Sequence, residues 1–505
     1  MGAYDNLQVY YGDIHNHCNI GYGHGSIEDA FRNARMQLDF ACVTVHGHWG
    51  DLPDGEAHLA PIVDFHEMGF ERTRAMWPQL VSAVNANHVP DEFVTFLGFE
   101  WHSLTYGDHC IYYKKPEGDV IRVRELEELR QELRRIQAAG NDCLLLPHHI
   151  GYKTGYRGAN WDTYTPEFSP IVEIMSMHGA SESAEAPYPY LHTMGPRDGN
   201  SLYQHALSQG HVVGVMGSTD HHSGHPGSYG HGRLAAWSTD LTRNGIWEAI
   251  SQRRTVALTG DNIALKFGLN DAPLGSVLPY AEERVIDVDV VGGGSIDYVD
   301  VLHNNQVIHR WNGLQTPADG TPRCVKVHIE VGWAGKNQTI DWDAALEVCD
   351  GELVSVEPRF RGHEIVAPQD VEEESYAFSA WQRHSNRVMF QTQTWGNATT
   401  TTASTQGICL EIDCNERTTI EGSINGTPVK VDVTDLLVKP RSVYLGAFRT
   451  PACYFHRAVD VNRYTANFQL THHGTGHQRD WYYVRVRQHN NQWAWSSPIW
   501  IEARA

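Results

Sequence analysis

Long hydrophobic runs are missing from this chain: nowhere do roughly 18 consecutive apolar residues occur, the length a bilayer-spanning helix needs. Positive charge is also scarce. With 39 Lys and Arg against 61 Asp and Glu, the formal net charge of −22 excludes the broad basic surface that nucleic acid or an anionic membrane requires. A local basic pocket for a small anion stays compatible with it. The nine cysteines show no paired spacing, so neither a disulfide framework nor a CxxC zinc site is expected. The opening residues Met1–Asp5 lack the basic and apolar regions of a secretory leader. The expectation is a reduced, cytoplasmic protein with neither membrane nor nucleic acid as partner.

Histidine is what the chain has in excess. There are 30, mostly in the first half, and their positions say more than their number. In Gly12-Asp13-Ile14-His15-Asn16-His17, two imidazoles at i and i+2 follow an apolar strand-like stretch. On extended backbone they point to the same side and can grip one cation. Comparable residues end other apolar runs at Thr44-Val45-His46, Gly98-Phe99-Glu100, Asp108-His109, Pro147-His148-His149 and Asp220-His221-His222. Asp220 and His222 repeat the i, i+2 spacing of His15 and His17. Ligand-type residues at successive strand ends are what a multinuclear site at the mouth of a β/α barrel requires.

The first half alternates strand and helix signals. Strand-like runs at 7–11, 40–45, 93–99, 143–146, 171–174 and 212–215 are separated by helical stretches, one of them capped by Ser26. Such alternation predicts parallel strands with crossover helices, here a barrel. The charged helix expected over 123–139 reads as a solvated face. After about residue 260 the texture changes to alternating strands with Asn304-Asn305 and Asn490-Asn491 as hairpin turns. The organisation expected is an α/β barrel over 1–260 followed by an all-β sandwich over 261–505, with 399–405 as a surface loop.

Asp13-Ile14-His15-Asn16-His17 resembles the opening motif of the PHP (polymerase and histidinol phosphatase) family, a distorted (β/α)7 barrel. The resemblance spans roughly residues 7–260. Thr44-Val45-His46 stands where the family has Thr-Asp-His, so the acidic middle residue is missing and the histidine is kept. Pro147-His148 and Asp220-His221-His222 match later family motifs, and the 481–500 segment resembles the end of a poorly characterised subgroup with a C-terminal β-sandwich. The resemblance implies a trinuclear centre. His15, His17, Glu100 and Asp220 would hold one ion, Glu100 would bridge to a second completed by His109 and His148, and His24, His46 and His222 would hold the third. His149 competes with His148.

Clustered Mn, Zn or Fe ions, two or three in number, activate water and neutralise charge on substrate oxygens. The reaction expected is hydrolysis of a small phosphorylated metabolite. The same centre could instead cleave a carboxylic ester, lactone or amide, or the chain could be a carbohydrate- or protein-binding module without activity. Lys153, Arg157 and Arg233 are candidate contacts to an anionic substrate, and for each a plain surface charge is the more ordinary reading. His178 is a candidate proton donor to the leaving group or a substrate contact, or else a hydrogen-bonded structural histidine. His48, His102, His221, His225 and His231 crowd the same loops, where some would orient ligands. A homo-oligomer is compatible with the sequence.

Overall fold

A computed structural model describes residues 2–53, 55–191, 194–313, 324–333, 335, 338–363, 378–396, 404–446, 451–474 and 476–504; most of the expected 399–405 loop lies outside them. Its first part contains β1 (Gln8–Asp13), α1 (Ile27–Gln37), β2 (Phe40–Trp49), α2 (Ala60–Asn87), β3 (Val94–His102), β4 (His109–Tyr113), α3 (Leu126–Ala138) and β5 (Cys143–Pro147). β6 (Ile171–Ser176), β7 (Gly179–Ala180), α4 (Tyr203–Ser208), β8 (Gly214–Gly217), β9 (Arg233–Ser238), α5 (Arg243–Ser251) and β10 (Thr255–Leu258) follow. The Ser26 cap is realised, its hydroxyl accepting from the Asp29 N–H at 3.0 Å, which satisfies one donor that the first helical turn leaves open.

β1, β2 and β3 run parallel. β4 turns back against β3, and β5 returns antiparallel to β4, so β5 points the same way as β3. β9 pairs antiparallel with β1, and β10 with β9. β6 and β8, parallel to each other, form a separate three-stranded sheet with β7. The pairing is thus that of a mixed sheet faced by a smaller one; a continuous seven-stranded ring is not traced among the described residues.

Strand alternation sorts the side chains. One face, carrying Val43, Leu97, Ile111 and Leu145, packs under α1, α2 and α3. The other forms an inner core of Phe40, Cys42, Phe96, Cys110, Tyr112, Leu146, Met216 and Leu234. Gly12 is needed at this point of β1, since a Cβ there would lie 2.3 Å from the Phe40 ring.

The later residues form more than one β layer. Thr339–Cys349 and Arg387–Trp395 belong to a five-stranded sheet that packs on the sheet built around Cys324–Gly332 and Gln406–Asp413, over a shared core of Val327, Leu346, Phe390 and Leu410. This sandwich occupies roughly residues 324–460 and is inserted into another β assembly. In that assembly Ala264–Leu269, Glu283–Val291 and Thr465–His473 pair in one sheet. Ile296–His303 pairs with Asp480–Gln488, and Trp493–Ser496 adds directly to β10. Sheet pairing therefore runs across position 260. The Asn304-Asn305 hairpin forms as expected, with φ of 48° and 67°, the left-handed pair that a tight type I′ turn demands.

Candidate metal centre

The inner files of the strands end in ligand-type side chains. Phe40 and Cys42 lead along β2 to His46, Phe96 leads along β3 to Glu100, and Leu144 and Leu146 lead along β5 to His148. His15 and His17 lie just past β1, and Asp220 just past β8. Two loop segments are tied together by backbone bonds: Asp220 N–H donates to the His15 carbonyl (2.7 Å), His17 N–H to that of His221 (2.8 Å), and Gly224 N–H to that of His17 (3.0 Å). The Asp13 carboxylate, buried beneath them, accepts from the backbone N–H groups of Thr219, Gly227 and His15. It holds the loops rather than facing the cluster.

Glu100 and Asp220 organise the cluster. His148 Nε2 lies 2.8 Å from Glu100 Oε1, while His17 and His46 Nε2 each lie 3.5 Å from Oε2. Asp220 Oδ1 faces His17 Nε2 at 3.0 Å and His15 Nε2 at 3.3 Å, and Oδ2 faces His178 and His149 at 2.8 and 3.5 Å. Donor atoms mutually within 4.8 Å form overlapping groups: His15, His17 and Asp220; His17, His46 and His222; His46, Glu100 and His102; Glu100, Asp108, His148 and His149. His149, Arg157 and Asp220 all hold left-handed backbone, with φ of 50°, 73° and 53°, a conformation that costs a non-glycine residue about 1–2 kcal/mol and concentrates at functional sites.

Partners around the cluster fix which nitrogen is offered inward. His222 Nδ1 donates to the Asp220 carbonyl at 2.8 Å, leaving Nε2 with its lone pair. His15 Nδ1 faces Glu173 Oε2 at 2.7 Å, the carboxylate–histidine arrangement that orients metal ligands. Tyr152 Oη lies 2.6 Å from His178 Nδ1.

Burial pushes the imidazoles of His17, His46, His148 and His149 well below the usual histidine range, which keeps them neutral and able to ligate. Burial also lifts the Glu100 carboxyl. At Asp220 burial is outweighed by His15 and His149 and by hydrogen bonds with His17 and His178, so its carboxyl is held well below the usual range. His15 moves the other way: against burial, Cys110, Asp220 and Glu173 raise it. A proton on His15 and a cation beside it are alternative ways of balancing the same carboxylates.

The donor set fits divalent metal. Buried His15 Nε2, His17 Nδ1, His46 Nδ1, Glu100 Oε2 and His149 Nδ1 have no hydrogen-bond partner, although buried polar groups are ordinarily satisfied. Four buried carboxylates, Glu100, Asp108, Glu173 and Asp220, gather here, with Arg157 ion-paired to Asp108 at 2.6 Å. Mixed imidazole and carboxylate donors suit Zn, Fe and Mn alike.

Of the residues expected from sequence, His15, His17, His46, Glu100, His148, Asp220 and His222 come together, with His149 and His178 beside them. His24 is seated next to His222, its N–H donating to the His222 carbonyl at 2.7 Å. His109 does not join them. It sits one residue out of phase with the inner file Asp108–Cys110–Tyr112, on the face of β4 near Trp101, and its Nδ1 bonds the Gly107 carbonyl at 2.8 Å. Asp108 stands in the place expected of it. Arg157 is at the cluster, but Arg233 is fully buried, bonded to Gln37, Gly227 and Asn262, because strand β9 carries it inside. Lys153 is exposed, lying over the Tyr156 ring. His102 and Asp108, named from the sequence but not assigned as ligands, stand in the donor groups, and continuing the alternation of β3 and β4 points to both.

No family model matches the chain. It is similar to uncharacterized proteins of Chlamydia pneumoniae, Chlamydia trachomatis and Chlamydia muridarum, each 23% identical over 253, 276 and 273 residues. The matched stretches cover 46–49% of this chain and only 40–43% of those proteins, so the chain spans less than half the length of these relatives. Among solved structures it is similar to a two-domain protein from Bacteroides vulgatus containing a predicted PHP-like metal-dependent phosphoesterase. The TM-score is 0.28 at 11% identity, covering 85% of this chain and 96% of that one. Among the described residues, no helix is long and apolar enough to cross a membrane.

Proposed function

We propose that this chain is a metal-dependent hydrolase of the PHP type, built on a distorted β/α barrel and acting on a small phosphate ester. The observation that carries the reading is the set of overlapping donor groups around Glu100 and Asp220. One ion would be held by His15, His17 and Asp220, one by Glu100, Asp108 and His148 or His149, and one by His17 or His46 with His222. Divalent cations in such a site supply water activation and neutralise charge growing on phosphoryl oxygens.

The chain's own residues account for the rest. Glu173 holds His15 in one tautomer and orientation. Arg157, anchored by Asp108 and lying 5.0 Å over the Trp49 ring, presents a guanidinium to an anionic substrate. His178, held between Tyr152 and Asp220, would serve as the proton donor to the leaving group.

Elemental analysis of the purified protein, with phosphate release from phosphomonoesters and diesters run against carboxylic esters and lactones, tests the reading. Bound Mn, Fe or Zn and metal-dependent phosphate release are expected. Turnover confined to esters or lactones would shift the bond and keep the centre. Protein that holds well under one equivalent and cannot be reloaded would overturn the hydrolase reading.

A further inference from the structure

A second polar cavity, of about 570 Å³, opens where the inserted 324–460 sandwich meets the surrounding β assembly. Its wall shares no residue with the donor groups named above around Glu100 and Asp220. Among the described residues, five cationic side chains line it, Lys326, Arg359, Arg361, Arg457 and Arg463, against one lining carboxylate, Glu330. In a chain where acidic residues outnumber basic ones by 61 to 39, five to one in the opposite sense is not a random draw.

Two of these cations share one aromatic ring, Arg361 lying 4.8 Å and Arg359 5.5 Å from the centre of Tyr229. Arg359 is buried; its Nη2 meets Asp261 at 3.0 Å, Glu357 at 3.3 Å and the Gly293 carbonyl at 2.9 Å. Its Nε, also buried, has no hydrogen-bond partner. Gly293 permits this approach, since a Cβ there would lie 2.8 Å from Arg359 Nη2. Lys326 donates to the Gly292 carbonyl at 2.7 Å and Arg361 to that of Thr405 at 2.6 Å; both contacts orient a charge without neutralising it. Counting Asp261 and Glu357 behind Arg359 and Asp460 beside Arg463, four carboxylates are set against five cations among the described residues. Like charges brought this close are unfavourable unless an anion completes the set, and guanidinium forks match phosphate oxygens two at a time. The cavity lies within the size range of small-molecule sites.

We propose that this cavity binds a small molecule carrying a pyrophosphate or paired phosphate groups, at a site separate from the metal centre. The two sites are joined by one loop. It leaves the cluster at Asp220 and His222 and reaches the cavity at Tyr229, whose N–H donates to the Phe360 carbonyl at 3.0 Å, between Arg359 and Arg361.

Isothermal titration calorimetry of the full chain with inorganic pyrophosphate tests this without reading any activity, so its failure is separable from failure of the hydrolase reading. Binding at one cavity site is expected, counted apart from any pyrophosphate taken up by the metal centre. Binding at that cavity site should weaken at least tenfold in Lys326→Gln/Arg361→Gln and change less than twofold in His17→Ala, a variant aimed at the metal centre. If circular dichroism shows the double variant unfolded, Arg457→Gln on the exposed rim should still weaken binding about threefold. Absence of binding at millimolar pyrophosphate, or binding lost in His17→Ala and kept in the cavity variants, would overturn the proposal. So would tighter binding of citrate than of pyrophosphate.

Discussion

At the scale of single residues, the site separates side chains that offer a lone pair from those that aim them. His17 and Asp220 belong to the first kind, and His17→Ala or Asp220→Ala is expected to lower bound metal to a small fraction by elemental analysis, with unfolding still cooperative. Glu173 belongs to the second. Glu173→Gln keeps the shape and removes the charge behind His15, so metal affinity should fall about 10–100-fold in a chelator competition. The sharpest contrast lies between neighbours: Asp108→Asn should weaken metal binding, whereas His109→Ala should leave metal content unchanged. Loss of metal in His109→Ala would mean that β4 presents its other face.

The same neighbours show what was readable at this scale. Same-side placement of His15 with His17, and of Asp220 with His222, follows from the i, i+2 spacing alone. Choosing Asp108 over His109 required the phase of β4, set by Cys110 and Tyr112 facing inward. Arg233 and Lys153 were unreadable because their fates depend on which strand or loop is covered by another part of the chain.

At the scale of elements, the Ser26-capped helix appears where local chemistry placed it, because a cap and an amphipathic face involve only residues a few positions apart. Strand partnership is different. Trp493–Ser496 pairs with β10 across more than 200 residues of sequence, and no local pattern announces such an edge. Trp495, fully buried in that strand, donates through its indole N–H to Glu182 Oε2 at 3.0 Å. Trp495→Ala is expected to cost about 3–5 kcal/mol, read from the urea midpoint of the full chain. The loss should be accompanied by weaker metal retention, since β10 supports β9 and, through it, β1. Unchanged stability would show that the C-terminal strands are an independent layer.

At the scale of the whole molecule, many buried histidines make stability depend on pH. Burial lowers His109 to about 4 and His225 to about 3. The unfolded chain takes up protons near pH 6.5 and these folded-state imidazoles do not, so acidification favours unfolding between about pH 6.5 and 4. Each such group removes up to about 1.4 kcal/mol per pH unit across that window. The urea midpoint should therefore be distinctly lower at pH 5 than at pH 7.5, and a flat profile would contradict the burial of these rings.

The sequence by itself determined the short-range features: most of the residues that could ligate a cation, the Ser26 helix cap, the Asn304-Asn305 hairpin and the change to β texture after residue 260. Those depend on side-chain chemistry and on spacings of two to four residues, which the chain displays directly. Tertiary structure alone decided that Asp108 and not His109 joins the donor groups, that a sandwich is inserted between strands that pair with one another, and that five scattered cations meet in one cavity. Each of these needs positions tens to hundreds of residues apart to be brought within a few ångströms, and that follows from packing of whole layers, not from local preference.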